Sequence, residues 1–125
     1  MQGKTLETPY VYFEIDDGIL ILTYKPGLSI GLDIAKSVVD DRLKFSEGKS
    51  YPLLILDMGV ASMDIEARNY FSNQGTEGVV AGAFMLTSAF TKFFVNFYLT
   101  ITKPKPPSKV FTDKAEAIKW LKEFS

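Results

Sequence analysis

Asp16, Asp17, Asp57, Thr87 and Lys103 carry groups that together could support phosphoryl transfer to a carboxylate. Two neighbouring carboxylates can hold magnesium, and a third can take the phosphoryl group on its oxygen. A hydroxyl and an ammonium can then answer the added charge. Such chemistry needs the carboxylates to converge at the carboxyl ends of buried strands. Asp57 has a suitable place. The apolar run 52–56 stops at it, Gly59 follows as a tight turn, and a capped helix is expected from about Ser62. Asp57 and Ser62 are therefore candidate binding residues, each with a plainer alternative. Asp57 can bond the amides of its own loop, and Ser62 can serve as the helix N-cap.

Other chemistries are closed by composition. The chain of 125 residues has no histidine and no cysteine. Histidine-based triads, common zinc sites, thiolate catalysis and disulfides are excluded. No glycine spacing fits a phosphate-cradling loop. Fourteen basic against fifteen acidic residues leave a net charge of −1, with no field to draw in nucleic acid. We expect no metal, no cofactor and no catalysis.

The elements that must position these residues follow from periodicity. Residues 8–15 and 19–24 alternate as strands, and Asp17-Gly18 between them is a hairpin signal. Pro26 ends the second strand. Residues 33–45 read as a helix with Ile34, Ala35, Val38, Val39 and Leu43 inward. Residues 52–56 form a central strand covered on both faces. Met63, Ala67, Tyr70 and Phe71 share one face of the next helix. Residues 79–86 read as a strand, a helix capped by Ser88 runs to about 99–101, and 110–111 make a last short strand. Thr112 or Asp113 caps a final helix with Ile118, Leu121 and Phe124 inward. The order ββαβαβαβα implies one α/β domain over 1–125, its mixed sheet flanked by helices.

That order also bears on the phosphoryl-transfer set. Those five positions resemble the landmarks of a response-regulator receiver, but a receiver has a helix after its acidic pair. Here a strand follows, and the pair falls in a hairpin turn, where aspartates are ordinary turn residues.

Two further features stand out. Phe90, Phe93, Phe94, Phe97 and Tyr98 form a wide stripe on a helix that is apolar nearly all round. The stripe reads either as buried core or as a dimer contact, an apolar ligand pocket or a membrane-surface contact. Lys103, Lys105 and Lys109 lie around a proline-rich loop, which is either a rigid crossover or a site for phosphate or lipid headgroups. The apolar stretch 79–101 is interrupted by Thr87-Ser88 and Asn96, so neither half is long enough to span a membrane. The amino terminus has no apolar signal core, and a cytoplasmic protein is expected.

Nearly the full length resembles a STAS domain of the kind found in anti-sigma factor antagonists. More narrowly it resembles small bacterial STAS/SEC14-like proteins. The likeness is carried by Asp17-Gly18-Ile19-Leu20, Tyr24-Lys25-Pro26-Gly27, Asp41-Arg42-Leu43-Lys44-Phe45, Gly48-Lys49-Ser50-Tyr51-Pro52 and Gly59-Val60-Ala61-Ser62-Met63. It continues through Glu66-Ala67-Arg68-Asn69-Tyr70, Asn96-Phe97-Tyr98, Lys103-Pro104 and Val110-Phe111-Thr112-Asp113. The resemblance implies a STAS-like fold and a non-catalytic binding module, with a protein or a second copy as partner. The alternative is a carrier or sensor of a small apolar or lipid-like ligand. In the antagonists a serine or threonine just after an aspartate is phosphorylated. Asp64 matches that aspartate, and Ile65, which cannot accept phosphate, falls on the acceptor position.

Overall fold

A computed structural model describes residues 4–57, 59–85 and 106–124. Its hairpin is formed by β2 (Val11–Asp16) and β3 (Ile19–Tyr24). Asp17 and Gly18 both have positive φ, +53° and +79°, the twist that a two-residue hairpin loop needs. An unexpected strand, β1 (Thr5–Glu7), precedes the hairpin and pairs antiparallel with β2. The chain reverses between them at Thr8-Pro9-Tyr10. The Thr8 N–H donates to the Val11 carbonyl at 2.9 Å, and its hydroxyl oxygen accepts from the N–H groups of Tyr10 and Val11.

After β3 come β4 (Ser29–Ile30), α1 (Leu32–Phe45), β5 (Tyr51–Asp57), β6 (Ser62–Met63) and α2 (Ile65–Ser72). A 3-10 turn at Gln74–Thr76 leads into β7 (Val79–Met85). β8 (Ser108–Phe111) and α3 (Lys114–Lys122) complete the described elements. The main sheet has the order β1-β2-β3-β5-β7-β8, antiparallel at β1-β2-β3 and parallel from β3 to β8. β4 and β6 make a separate parallel pair. The mixed α/β sheet expected from the sequence is therefore present, with β1, β4 and β6 added. The helix expected after Ser88 lies outside the described residues.

Pro52 sits inside a central strand, where a missing N–H normally breaks the ladder. The register resolves this. Tyr51 pairs with Val79 and Pro52 with Ala81, so Val80 bulges out at the proline.

The strands bury side chains on both faces. On one face Val11, Phe13, Leu20, Leu22, Tyr24 and Leu53 meet Ala35, Val38 and Phe45 of α1 and Ala67 of α2. The Phe13 and Phe45 rings stack there, 5.6 Å apart. On the other face Ile19, Ile21, Leu54, Ala81 and Ala83 lie under Ala117 and Leu121 of α3. Small residues on β7 let α3 approach the sheet, and Leu121 is fully buried. Burial of one such leucine contributes about 2 kcal/mol. No helix among the described residues is long and apolar enough to cross a membrane.

Candidate functional site

Asp57 is the last residue of β5, and its neighbour in the parallel register is Tyr24, the last residue of β3. Both are buried, Asp57 to 8% exposure. Its Oδ1 accepts from the Gly59 N–H at 2.8 Å and the Val60 N–H at 2.7 Å. The carboxylate therefore folds its own loop back, and Gly59 meets the bend with a φ of +105° that other residues rarely adopt.

That loop is zipped to the one after β3. Gly27 N–H donates to the Gly59 carbonyl at 2.8 Å, and Ala61 and Ser62 N–H groups share the Leu28 carbonyl. Ser29 then pairs with Ser62 and Ile30 with Met63. Asp64 N–H closes the zip on the Ile30 carbonyl at 3.0 Å. The two loops thus form one platform, and α1 and α2 both start from it.

The structure corrects the cap. α2 begins at Ile65, and its N-cap is Asp64, whose Oδ1 accepts from the Ala67 N–H at 2.9 Å. Ser62 is an exposed residue of β6, with its backbone held in the zip. Ser62 and Asp64 are both capping residue types, and residue type alone does not choose between them. The short β4–β6 pairing, which displaces the helix start, has too little periodicity to be read.

At the outer end of the platform stands Ile65, 68% exposed, the most exposed large apolar side chain among the described residues. Ser29, Ala61 and Ser62 of the two zipped loops and Glu66 of the helix start are exposed as well.

Away from the platform, near the C-terminal end of α1, lies a polar residue that the apolar spacing does not single out. Arg42 is 3% exposed, and its Nη2 donates to the carbonyls of Gly75 at 3.0 Å and Glu77 at 2.7 Å. It ties α1 to the segment that enters β7. Burial pushes its guanidinium pKa down, and the charge of Glu77 partly restores it. Burial likewise pushes the Tyr24 phenol well above its ordinary range; Arg42 opposes this and Asp57 adds to it. Arg42 falls at the spacing of Ala35, Val38 and Phe45, so a charged residue on an apolar stripe was the signal available in the sequence.

The acidic pair is elsewhere. Asp16 and Asp17 lie at the start of β3, whereas Asp57 is level with the end of that strand. Asp17 binds Lys122 of α3 at 2.7 Å, which holds its carboxyl below the ordinary aspartate range. No receiver-like cluster is assembled by the described residues, and none of them groups three metal-ligating side chains. Lys109 is exposed in β8, its ammonium 5.3 Å from the Phe111 ring centre. A depression of about 360 Å³ is lined by Ser72, Asn73, Gln74 and Thr76, and the side chains of Ser72, Asn73 and Thr76 already bond locally to the Asn69 and Asn73 carbonyls. Thr87, Phe90, Phe93, Phe94, Phe97, Tyr98, Lys103 and Lys105 lie outside the described residues, as do the pocket and dimer expectations that rest on them.

Residues 13–125 match the model of a domain of unknown function, DUF7793. The chain belongs to that family. The match takes in every described element after β1 apart from the first residues of β2. Among solved structures, this DUF7793 chain is similar to an uncharacterized protein of the DUF3478 family from Shewanella loihica, described as having a SpoIIAA-like fold. The TM-score is 0.58 at 11% identity, covering 95% of this chain and 91% of that one. This is a likeness of fold, and the STAS-like architecture expected from the sequence is the one observed. The fold likeness supports the STAS-like resemblance, and the family model that matches is DUF7793. No curated protein matches the chain.

Proposed function

We propose that this chain is a non-catalytic binding module that meets a protein partner through the platform of its two zipped loops. The observation that supports this is Ile65. A large aliphatic side chain is held out to solvent by a capped helix start, between the exposed Asp64 and Glu66 in the chain. An apolar centre within a polar rim is the usual build of a protein interface. Asp57 serves the face from below by fixing the loop that carries it. Because residue 65 is isoleucine, contact at this face is not switched by a phosphate on that position, unlike in the antagonists the chain resembles.

The test begins with the whole chain as bait in its native host, wild type beside Ile65→Glu. Candidate partners are then rebuilt from purified components and titrated by calorimetry. The expected result is a partner whose affinity falls at least tenfold with Ile65→Glu while the melting temperature stays put. A partner bound equally well by both forms would place the binding surface elsewhere.

A further inference from the structure

Among the described residues the main sheet ends in two strands, β1 and β8, and their edges are built differently. β8 follows directly on Pro106 and Pro107 and carries the exposed Lys109. Prolines and lysines at an edge are devices that keep other strands away. β1 has no proline, and all of Thr5, Leu6 and Glu7 are exposed. Its charges are drawn off into the chain's own contacts. Lys4 bridges Glu47 at 3.2 Å and lies 5.2 Å from the Phe45 ring centre, and Glu7 accepts from Lys25 at 2.7 Å.

The hydrogen bonds show which backbone groups of β1 face away from β2. The Lys4 carbonyl accepts from Ile15 N–H at 3.0 Å, and Thr8 N–H donates to Val11 at 2.9 Å. Bonded pairs alternate along an antiparallel ladder. Leu6 therefore bonds inward to its register partner Phe13, while the N–H and C=O groups of Thr5 and Glu7 face away from β2. Leu6 at 40% and Tyr12 at 38% exposure join Ile65 as the large exposed apolar residues among those described. Register places Leu6 on the Phe13 face of this edge and Tyr12 on the opposite face, beside Glu7.

We propose that β1 is where two copies of this chain join, edge to edge and antiparallel, about a two-fold axis at Leu6. That axis sets Thr5 against Glu7 of the second copy, so their outward N–H and C=O groups pair. Leu6 meets Leu6 of the copy at the close, non-bonded position, where side chains pack best. Lys4 faces Thr8 of the copy, and no like charges are opposed. The contact uses the same patch twice and closes at two copies. The strand is short, so the dimer is weak and depends on concentration.

Sedimentation velocity on the whole chain tests this from about 10 to about 500 µM, the range that populates such a complex. The wild type should move from monomer to dimer. Thr5→Pro removes an outward N–H and leaves the β1–β2 bonds intact, so it should weaken association at least tenfold with the same melting temperature. Leu6→Lys leaves the backbone alone and brings two ammonium groups together on the axis; it should do the same. A wild type that stays monomeric throughout overturns the proposal, even if β1 accepts a strand from another protein. Dimers that persist in both folded variants also overturn it.

Discussion

Asp17 and Asp57 stand at opposite ends of the same strand pair: β3 starts just after Asp17, and it ends at Tyr24, level with Asp57. Six residues of strand separate the two levels, roughly 20 Å at 3.3 Å per residue. No single magnesium ion can touch both carboxylates, and Asp17 is engaged by Lys122.

Asp57 is accordingly expected not to accept phosphate. Incubation with acetyl phosphate and magnesium should leave the mass of the intact protein unchanged. A stoichiometric adduct mapped to Asp57 would show that the acidic pair is not needed and would restore the receiver reading.

Asp64, and not Ser62, should carry the cap of α2. Asp64→Ala should destabilise the fold by about 1 kcal/mol in urea melts, and Ser62→Ala by only a few tenths. The reverse ranking would mean that α2 starts earlier in solution.

Arg42 should matter more than any exposed charge. Its removal strands two carbonyls, those of Gly75 and Glu77, and Arg42→Met should cost roughly 2 kcal/mol. Arg42→Lys should recover only part of this, because a single ammonium does not reproduce the guanidinium fork. An Arg42→Met protein as stable as wild type would sink the clamp.

Periodicity carried the hairpin, α1, β5, α2, β7 and α3, because each repeats an apolar spacing over several residues. It failed where pairing is short. β1 is followed by a turn organised by Thr8 and Pro9, a stretch that looks like the start of a strand, and β4 and β6 are two residues each. At the candidate site, Asp57 was legible as the stop of an apolar run. Ile65 was legible only as a departure from a resemblance, since sequence alone does not say which face of a short helix meets solvent. Arg42 lies on the buried stripe of α1, where apolar spacing alone points to Leu43. An arginine is expected outside until a structure supplies carbonyls to receive it.

The last expectation concerns what Asp57 does for the platform. Its Oδ1 receives two backbone N–H groups, from Gly59 and Val60, at a site 8% exposed. Hydrogen bonds to a charged acceptor are stronger than neutral ones, and losing this acceptor leaves both donors without it. Asp57→Ala should therefore destabilise the fold by roughly 2–3 kcal/mol. Asp57→Asn keeps a carbonyl oxygen in place and should lose less. The damage should be local as well: hydrogen exchange should speed up most at Gly59, Val60 and the zipped amides of Gly27, Ala61 and Asp64, while the core amides of β3 and β5 should speed up only by the loss of global stability. If Asp57→Ala were as stable as wild type, with those amides still protected, the carboxylate would be free of a structural task. Its position at the end of β5 would then have to be explained by a ligand.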